Sequence, residues 1–377
     1  MTNQPDIYRR LQEHLDTLPV GYPATESGVE IRILKRLFTP EEAEVALGLS
    51  AIPEPVEKIR HRVPGRTEEE LEGTLDRMVE KGAIFGGRLL ARGGKKRYSR
   101  APLAIGMYEA QVDRLTKDLQ RDFEQYSREG FAEALLAGKT KQMRTIPVNA
   151  RFVPEHLVGR YDDARRLIEE GAGPWAARNC VCRQGKDALG EPCRQTAARR
   201  VCLTIGPAAR ASLASGDGQA LTREGTLALL DRAERDGMIL QPSNARDPVF
   251  ICFCCGCCCG LLQAARHFPR PAEYLHSNYQ AAVDAELCTE CLTCRERCPM
   301  EALGSGDGAT AVDLDRCIGC GACVVTCPTG AVELRAKARE TVPPKDLRAL
   351  YGRISTERFG VLGMAKRIGM VLLGRQI

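Results

Sequence analysis

Residues 288–328 read CTECLTCRERCPMEALGSGDGATAVDLDRCIGCGACVVTCP, and this stretch decides the fold of the segment around it. It contains two cysteine runs with the same spacing, C-x2-C-x2-C-x3-C-P, which end at Pro299 and Pro328. Three thiolates two residues apart on a tight loop can hold three corners of a cubane iron–sulfur cluster, and the fourth ligand must come from elsewhere. A single C-x2-C pair is also typical of zinc, but two full runs, each with its proline, predict iron–sulfur clusters.

The two runs resemble the ligand motif of bacterial-type two-[4Fe–4S] ferredoxins. In that family the fourth cysteine of each run ligates the other cluster, so the resemblance implies two clusters with crossed ligands. The first cluster is expected at Cys288, Cys291, Cys294 and Cys327. The second is expected at Cys317, Cys320, Cys323 and Cys298. Crossed ligands join the two halves, so the resemblance also implies that folding and cluster binding are coupled.

The remaining cysteines form two further sets in the middle of the chain. The sequence has 18 cysteines but only 5 histidines, so any bound metal is expected to be held by sulfur. One set comprises Cys180, Cys182, Cys193 and Cys202, and the other comprises Cys252, Cys254, Cys255, Cys257, Cys258 and Cys259.

Isolated cysteines often serve as small buried apolar residues, but six thiols in eight positions suit that role badly. We therefore expect one or two additional iron–sulfur clusters here, with a closed four-cysteine zinc site as the less favoured alternative. The sequence does not decide which cysteines act together.

The general composition is that of a globular protein with a mild net charge of +5 among 377 residues. This charge does not by itself indicate nucleic acid or an anionic membrane. The N-terminal sequence lacks the apolar run of a secretory signal, and there is no stretch of about 18 apolar residues. These features predict a cytoplasmic protein without a membrane span, in a compartment where clustered cysteines bind metal rather than form disulfides.

The N-terminal segment, residues 1–104, is predicted to be a small winged-helix-like domain. Thr39 followed by Pro40 marks a helix start, and Thr67 with Glu70 forms a capping-box pattern before a second helix. A glycine-rich turn between two short β segments then predicts a hairpin. The order helix, helix, hairpin over residues 28–102 resembles a winged helix-turn-helix domain.

Winged helices often bind DNA, so a redox-responsive DNA-binding regulator is the main alternative function. The expected recognition helix, residues 67–81, carries six acidic residues against two basic ones, a net charge of −4. This charge opposes entry into a phosphate-lined groove, although the hairpin is basic. We therefore expect the domain to dock to protein or to serve a structural role.

The overall expectation is an α+β multidomain chain. After the winged-helix-like domain, it predicts one long helix or linker at 105–140, a cysteine-rich and mainly helical middle region at 141–283, the ferredoxin-like domain at 284–336 and a helical tail at 337–377. The apolar residues of the tail are expected to pack on the protein itself, with peripheral contact to a membrane surface or a partner as the alternatives.

The pattern as a whole resembles multi-cluster ferredoxin-type proteins of anaerobic bacteria, which implies electron transfer. We expect an electron carrier, or the electron-transfer subunit of an anaerobic oxidoreductase, that works with redox partner proteins. A reductase acting at the middle cysteines is a further alternative. No Ser/His/Asp or Cys/His catalytic arrangement is legible, so a stand-alone enzyme is less expected.

Overall fold

The computed structural model describes residues 6–149, 159–373 and 375–377, with the side chains of Arg88 and Leu89 outside the description. The chain divides into two compact units. The first comprises Met1–Lys139 together with Arg353–Ile377, and the second comprises Thr140–Gly352.

The first unit is mostly helical with one small sheet. Its helices before residue 140 are α1 (Ile7–Asp16), α2 (Val29–Leu37), α3 (Pro40–Leu47), α4 (Val56–Arg60), α5 (Glu68–Glu80), α6 (Lys117–Tyr126) and α7 (Ala132–Leu136). Its strands are β1 (Glu54–Pro55), β2 (Ile84–Arg92) and β3 (Lys95–Arg100), which pair antiparallel in the order β1-β3-β2.

The helix starts of this unit follow the sequence signals. The Thr39 side chain accepts a hydrogen bond from the backbone N–H of Glu42, and the Thr67 side chain accepts one from that of Glu70. The carboxylates of Glu42 and Glu70 in turn accept hydrogen bonds from the backbone N–H groups of Thr39 and Thr67, so both capping boxes are present. Leu71, Leu75 and Met78 line the buried face of α5. The predicted order of helices followed by a hairpin is therefore present, while membership of the winged-helix class stays a prediction.

The expectation of one long helix from residue 105 was wrong. The backbone at Ile105 is left-handed, with φ 57°, and the neighbouring Ala104 is extended. The helix α6 starts only at Lys117, where the Thr116 side chain accepts a hydrogen bond from the Leu119 backbone. A local cap therefore outweighs the apolar periodicity that runs through this segment. A further break at Gly130 separates α6 from α7.

The C-terminal helix α16 (Leu347–Leu372) breaks at Gly360, where φ is 68°. Its last part belongs to the first unit, where the backbone of Ala51 donates a 2.9 Å hydrogen bond to the carbonyl of Ile377. Several large apolar side chains here remain exposed: Val361, Leu362, Ile368, Leu372 and Leu373. Among the described helices, none combines the length and apolar character that crossing a membrane requires.

The second unit contains a five-stranded antiparallel sheet. Its strands are β4 (Trp175–Asn179), β5 (Arg200–Ile205), β6 (Gly218–Leu221), β7 (Ile239–Pro242) and β8 (Phe250–Cys254), in the order β6-β4-β5-β8-β7. Its helices are α8 (Ala164–Glu169), α9 (Val181–Leu189), α10 (Pro207–Ser215), α11 (Arg223–Arg235), α12 (Gly260–Arg266) and α13 (Pro271–Tyr274).

The expectation of a mainly helical middle region missed this sheet. Its strands have four to six residues each, and cysteines occupy positions where a half-buried strand normally shows polar residues. Val201 and Leu203 on β5 and Ile251 and Phe253 on β8 belong to the apolar core of this unit. Because side chains alternate between the faces of a strand, Cys202, Cys252 and Cys254 lie together on the opposite face.

The ferredoxin-like segment follows in the same unit. Strands β9 (Tyr279–Val283) and β12 (Val332–Ala336) pair antiparallel, and β10 (Leu303–Ser305) pairs with β11 (Thr310–Val312). The short helices α14 (Thr293–Arg297) and α15 (Ala322–Val325) follow the first ligand loop of each repeat. Before the sheet, Ile146 makes an isolated bridge with Leu240, and the Val148 backbone donates a 3.0 Å hydrogen bond to the Cys320 carbonyl.

Candidate iron–sulfur and metal-binding sites

The two cysteine runs adopt the same backbone path. In the first run Glu290 and Leu292 have φ values of 50° and 56°, and in the second Gly319 and Gly321 have values of 61° and 77°. These are equivalent positions, directly before and after the second cysteine of each run. The left-handed conformation is strained for side chains such as those of Glu290 and Leu292, and such strain is concentrated at functional sites.

Cys288, Cys291 and Cys294 of the first run line one cavity together with Cys327 from the second run. The cavity bounds about 280 Å³ of space between atoms, part of it open to solvent. Its remaining lining is small or apolar and includes Thr310, Pro328 and Val332. Four thiols from both runs around one space form a donor set that fits a [4Fe–4S] cluster.

The other four cysteines of the segment are also close to one another. The charges of Cys298 and Cys317 act on Cys320, and those of Cys317, Cys320 and Cys298 act on Cys323. Burial raises the pKa of Cys320 to about 12 and also raises the pKa of Cys323 well above its usual range. Their thiolates therefore require the positive charge of a bound metal to form at neutral pH.

Backbone N–H groups point at several of these sulfurs. Ala281 donates to the Sγ of Cys317 at 3.3 Å, Ala302 to that of Cys298 at 3.2 Å and Thr310 to that of Cys288 at 3.4 Å. The bond from Thr310 is the main cause of the lowered pKa of Cys288. Hydrogen bonds of this kind stabilise sulfur-bound negative charge and tune the potential of a cluster.

Comparison with known proteins agrees with this geometry. Residues 281–341 match the 4Fe–4S dicluster domain family. This segment is therefore an iron–sulfur-binding, ferredoxin-like domain, called the dicluster segment below. No curated protein and no solved structure matches the chain. The dicluster segment supports an electron-transfer role for the protein. The family match covers residues 281–341 and does not extend to the other residues.

The structure sorts the ten middle cysteines into two sets that differ from the two seen in the sequence. We call Cys193, Cys255, Cys257 and Cys258 the four-cysteine set; their sulfurs all lie within 4.8 Å of one another. The distances from Cys193 Sγ to the sulfurs of Cys255 and Cys257 are both 3.7 Å. Cys257 Sγ lies 3.6 Å from that of Cys255 and 3.7 Å from that of Cys258.

The remaining six cysteines form a chain of interacting thiols, called here the six-cysteine set. Electrostatic interactions between neighbouring thiols link them in the order Cys202, Cys252, Cys254, Cys259, Cys182 and Cys180. Cys202 and Cys252 stand directly opposite each other on β5 and β8. Cys180 is the N-cap residue of α9, and the Cys182 side chain and burial raise its pKa well above the usual range.

Arg183 lies between the two sets and is 1% exposed. It donates a 3.0 Å hydrogen bond to the Phe253 carbonyl and interacts with the Cys193 thiol. Burial opposes its charge, but the negative charges of Cys180 and Cys255 outweigh burial and raise the pKa of Arg183. Among the residues that the structure describes, no carboxylate lies within ion-pair distance of this guanidinium. Metal binding would ionise these thiols, and the resulting thiolates would supply the counter-charge of Arg183.

The pKa values of the four-cysteine set are split: those of Cys255 and Cys258 are raised by neighbouring thiols, whereas those of Cys193 and Cys257 are lowered. Burial opposes ionisation of Cys193, but the Thr196 backbone and the Arg183 side chain together lower its pKa. Hydrogen bonds from the thiols of Cys255 and Cys258 lower the pKa of Cys257 well below its usual range. A cluster of thiols that share protons in this way is a ready donor set for a metal cation.

Sequence reasoning identified all ten middle cysteines but grouped the thiols by position along the chain. The grouping has a sequence signal in the strands. Both V-C-L at 201–203 and I-C-F-C at 251–254 alternate apolar residues with cysteine. This period of two indicates strands with one cysteine-bearing face.

Proposed function

We propose that this chain is an iron–sulfur electron-transfer protein, or the electron-transfer subunit of an anaerobic oxidoreductase. We further propose that the dicluster segment holds two [4Fe–4S] clusters, each of which takes up and releases single electrons when bound. The observation that carries the proposal is the cavity that unites Cys327 with Cys288, Cys291 and Cys294. The crossed contribution of Cys327 is what the ferredoxin-like ligand pattern requires.

The chain's own residues support two different environments. Cys291 is exposed, whereas Cys317, Cys320 and Cys323 are buried. In the proposed function the exposed edge at Cys291 lies where a redox partner protein docks, because short distances favour electron exchange. The buried set receives hydrogen bonds from the backbone, such as that from Ala281 to Cys317, which tune its potential, while burial limits the access of solvent.

The test is anaerobic purification of the full chain followed by iron and sulfide analysis and low-temperature EPR after reduction. About eight irons from the dicluster segment, with signals of two reduced clusters, are expected. Cys291→Ala and Cys327→Ala are each expected to lose the same cluster, and the double variant is expected to lose no more than either alone.

The matched control is a double variant that replaces one expected ligand of each cluster. Cys291→Ala combined with Cys320→Ala is expected to lose both signals. A chain without iron would overturn the proposed function. Loss of the second cluster in Cys327→Ala, with the first retained, would overturn the crossed ligand assignment alone.

We also propose that the N-terminal unit docks to protein or serves a structural role rather than binding DNA. The basic hairpin is partly neutralised from within the unit. Lys96 pairs with Glu72 at 2.7 Å and with Asp76 at 2.5 Å, and Lys95 pairs with Glu57. Cations engaged in this way offer less charge to phosphates. Binding of the full chain to DNA of its own promoter region, changing with cluster oxidation, would instead favour a redox-responsive regulator.

A further inference from the structure

The four-cysteine set differs in geometry from the thiols of the dicluster segment. Within the described residues, this is the only group of three or more histidine, cysteine or carboxylate side chains whose ligand atoms all lie within 4.8 Å of one another. In a cubane cluster each cysteine binds a different iron, so the sulfurs stand apart around the cluster. Four sulfurs that all bind one ion must lie much closer together.

The observed sulfur–sulfur distances match a single ion. A tetrahedral site with metal–sulfur bonds of about 2.3 Å has edges of about 3.8 Å between ligand sulfurs. Four of the six separations among the sulfurs of Cys193, Cys255, Cys257 and Cys258 are 3.6 to 3.7 Å, and the other two are within 4.8 Å. They are far longer than the roughly 2 Å of a disulfide bond.

We propose that Cys193, Cys255, Cys257 and Cys258 bind one divalent metal ion, zinc or mononuclear iron, in a closed tetrahedral site with four thiolate ligands. This differs from the sequence-based expectation of an iron–sulfur cluster at these residues. The six-cysteine set then remains as the candidate for an additional iron–sulfur cluster. Arg183 offsets the net negative charge of four thiolates around a divalent ion.

The chain path shows how adjacent cysteines serve different sets. Cys254, at the end of β8, belongs to the six-cysteine set, and the next residue, Cys255, belongs to the four-cysteine set. In the same way, Cys258 belongs to the four-cysteine set and Cys259 belongs to the six-cysteine set. The backbone of Cys259 donates a 3.1 Å hydrogen bond to the Cys255 carbonyl, which closes the loop between them. The tight loop therefore directs successive side chains to opposite sides.

The site also abuts the dicluster segment. A Cβ atom built on Gly256 would lie 3.2 Å from the Cβ of Pro299, the residue after Cys298. The ion would thus join the Cys193 loop to the 255–258 loop and hold the latter against Pro299. Its role in this proposal is to fix the surroundings of the expected Cys298 ligand.

The experiment uses the full chain, purified anaerobically after growth with zinc or with iron as the supplemented metal. X-ray absorption at the zinc edge is expected to show four sulfurs at about 2.3 Å with no metal neighbour. If iron occupies the site, the red absorption and EPR of a mononuclear ferric tetrathiolate appear on oxidation. Either result supports the proposal and identifies the ion. Exchange with Co²⁺ is expected to give the visible bands of a tetrahedral tetrathiolate.

Variants test the sorting of the thiols. Cys257→Ser and Cys193→Ser are expected to lose one equivalent of the single ion, whereas Cys202→Ser in the six-cysteine set is expected to retain it. Loss of the same ion from Cys202→Ser, loss of iron together with sulfide from Cys257→Ser, or a wild-type chain without the ion would each overturn the proposal. The measurement on the wild-type chain stands even if a variant does not fold.

This inference rests on the proposed electron-transfer function only for the role at Pro299. The iron and sulfide of the dicluster segment are counted separately. The absence of this iron and sulfide would overturn the proposed function but would not affect the proposal of a single-ion site. The absence of the single ion would overturn that proposal but would not affect the proposed function.

Discussion

Gly319 shows how one residue controls the second ligand loop. Its backbone is left-handed, with φ 61°, and a Cβ at this position would collide with the carbonyl oxygen of Tyr279. The second loop therefore packs against β9 with no room for a side chain. The equivalent position in the first loop is Glu290, which takes the same conformation in an exposed setting.

We expect Gly319→Ala to reduce iron incorporation and to destabilise the folded chain by more than the roughly 1–2 kcal/mol of left-handed strain. The excess comes from the collision with Tyr279. Iron content and the free energy of unfolding in denaturant measure the effect. Gly308→Ala is the control, because Gly308 has φ 74° but nothing within 4 Å of its Cβ position. Equal effects of both variants would contradict this explanation.

Arg183 is a second residue whose replacement is expected to affect the stability of the folded chain and the retention of metal. Removing a buried charge from among opposite charges typically costs about 3–5 kcal/mol. We expect Arg183→Gln to lower the free energy of unfolding by an amount of this order and to speed metal loss to a chelator. Arg194→Gln, an exposed change in the Cys193 loop, is expected to have little effect. If the two variants behave alike, the thiolates do not depend on Arg183.

At the scale of elements, α1 carries a half-buried histidine, His14, that is expected to make the first unit sensitive to acid. Burial, followed by the charge of Arg100, lowers the pKa of His14 to about 4. His14 Nε2 lies 2.9 Å from the Leu49 carbonyl. The unfolded chain binds a proton near pH 6.5, whereas the folded chain resists it until about pH 4.

The folded unit is therefore expected to lose stability as the pH falls from about 6.5 to about 4, by about 3 kcal/mol in all. Above that window the contribution of His14 is fully present. Thermal unfolding across this pH range, compared between wild type and His14→Gln, isolates the effect. The exposed His61→Gln serves as control. A His14→Gln variant with an unchanged pH profile would show that His14 is not responsible.

Ion pairs and a hydrogen bond join the hairpin of the first unit to helix α5. The acidic face of α5 lies against the basic strand β3, where the hydroxyl of the buried Tyr98 donates a 2.8 Å hydrogen bond to Asp76. The acidic residues of α5, which oppose DNA binding, thus also bind the hairpin through Lys96 and Tyr98. This favours the protein-docking or structural proposal for the unit.

At the scale of the whole molecule, metal binding is expected to stabilise the two units unequally. The 18 cysteines all lie in the second unit, and none lies in the first. Removing iron and other metals should therefore leave the cores of α1, α2 and α5 intact. Hydrogen exchange followed by mass spectrometry is expected to show lost protection at 279–336 and around 252–259, with protection of the first unit retained. Equal loss in both units would show that the first depends on the metals.

The sequence by itself determined the dicluster segment, because cluster ligation depends on local spacing that can be read directly from Cys288 to Cys327. It also predicted the starts of α3 and α5, since capping boxes are local hydrogen bonds. It did not predict where α6 begins, because the Thr116 cap competes with an apolar period that runs through the segment.

Only the tertiary structure decided how the middle cysteines are sorted. Cys254 and Cys255 are neighbours in the chain but belong to different sets, because a strand and the loop after it direct their side chains apart. Cys193 joins Cys257 across 64 positions, and Arg183 becomes their counter-charge only after the sheet forms. Such long-range contacts depend on the packing of whole elements, whereas the strand period in the sequence indicates only that Cys202, Cys252 and Cys254 each lie on the cysteine-bearing face of a strand.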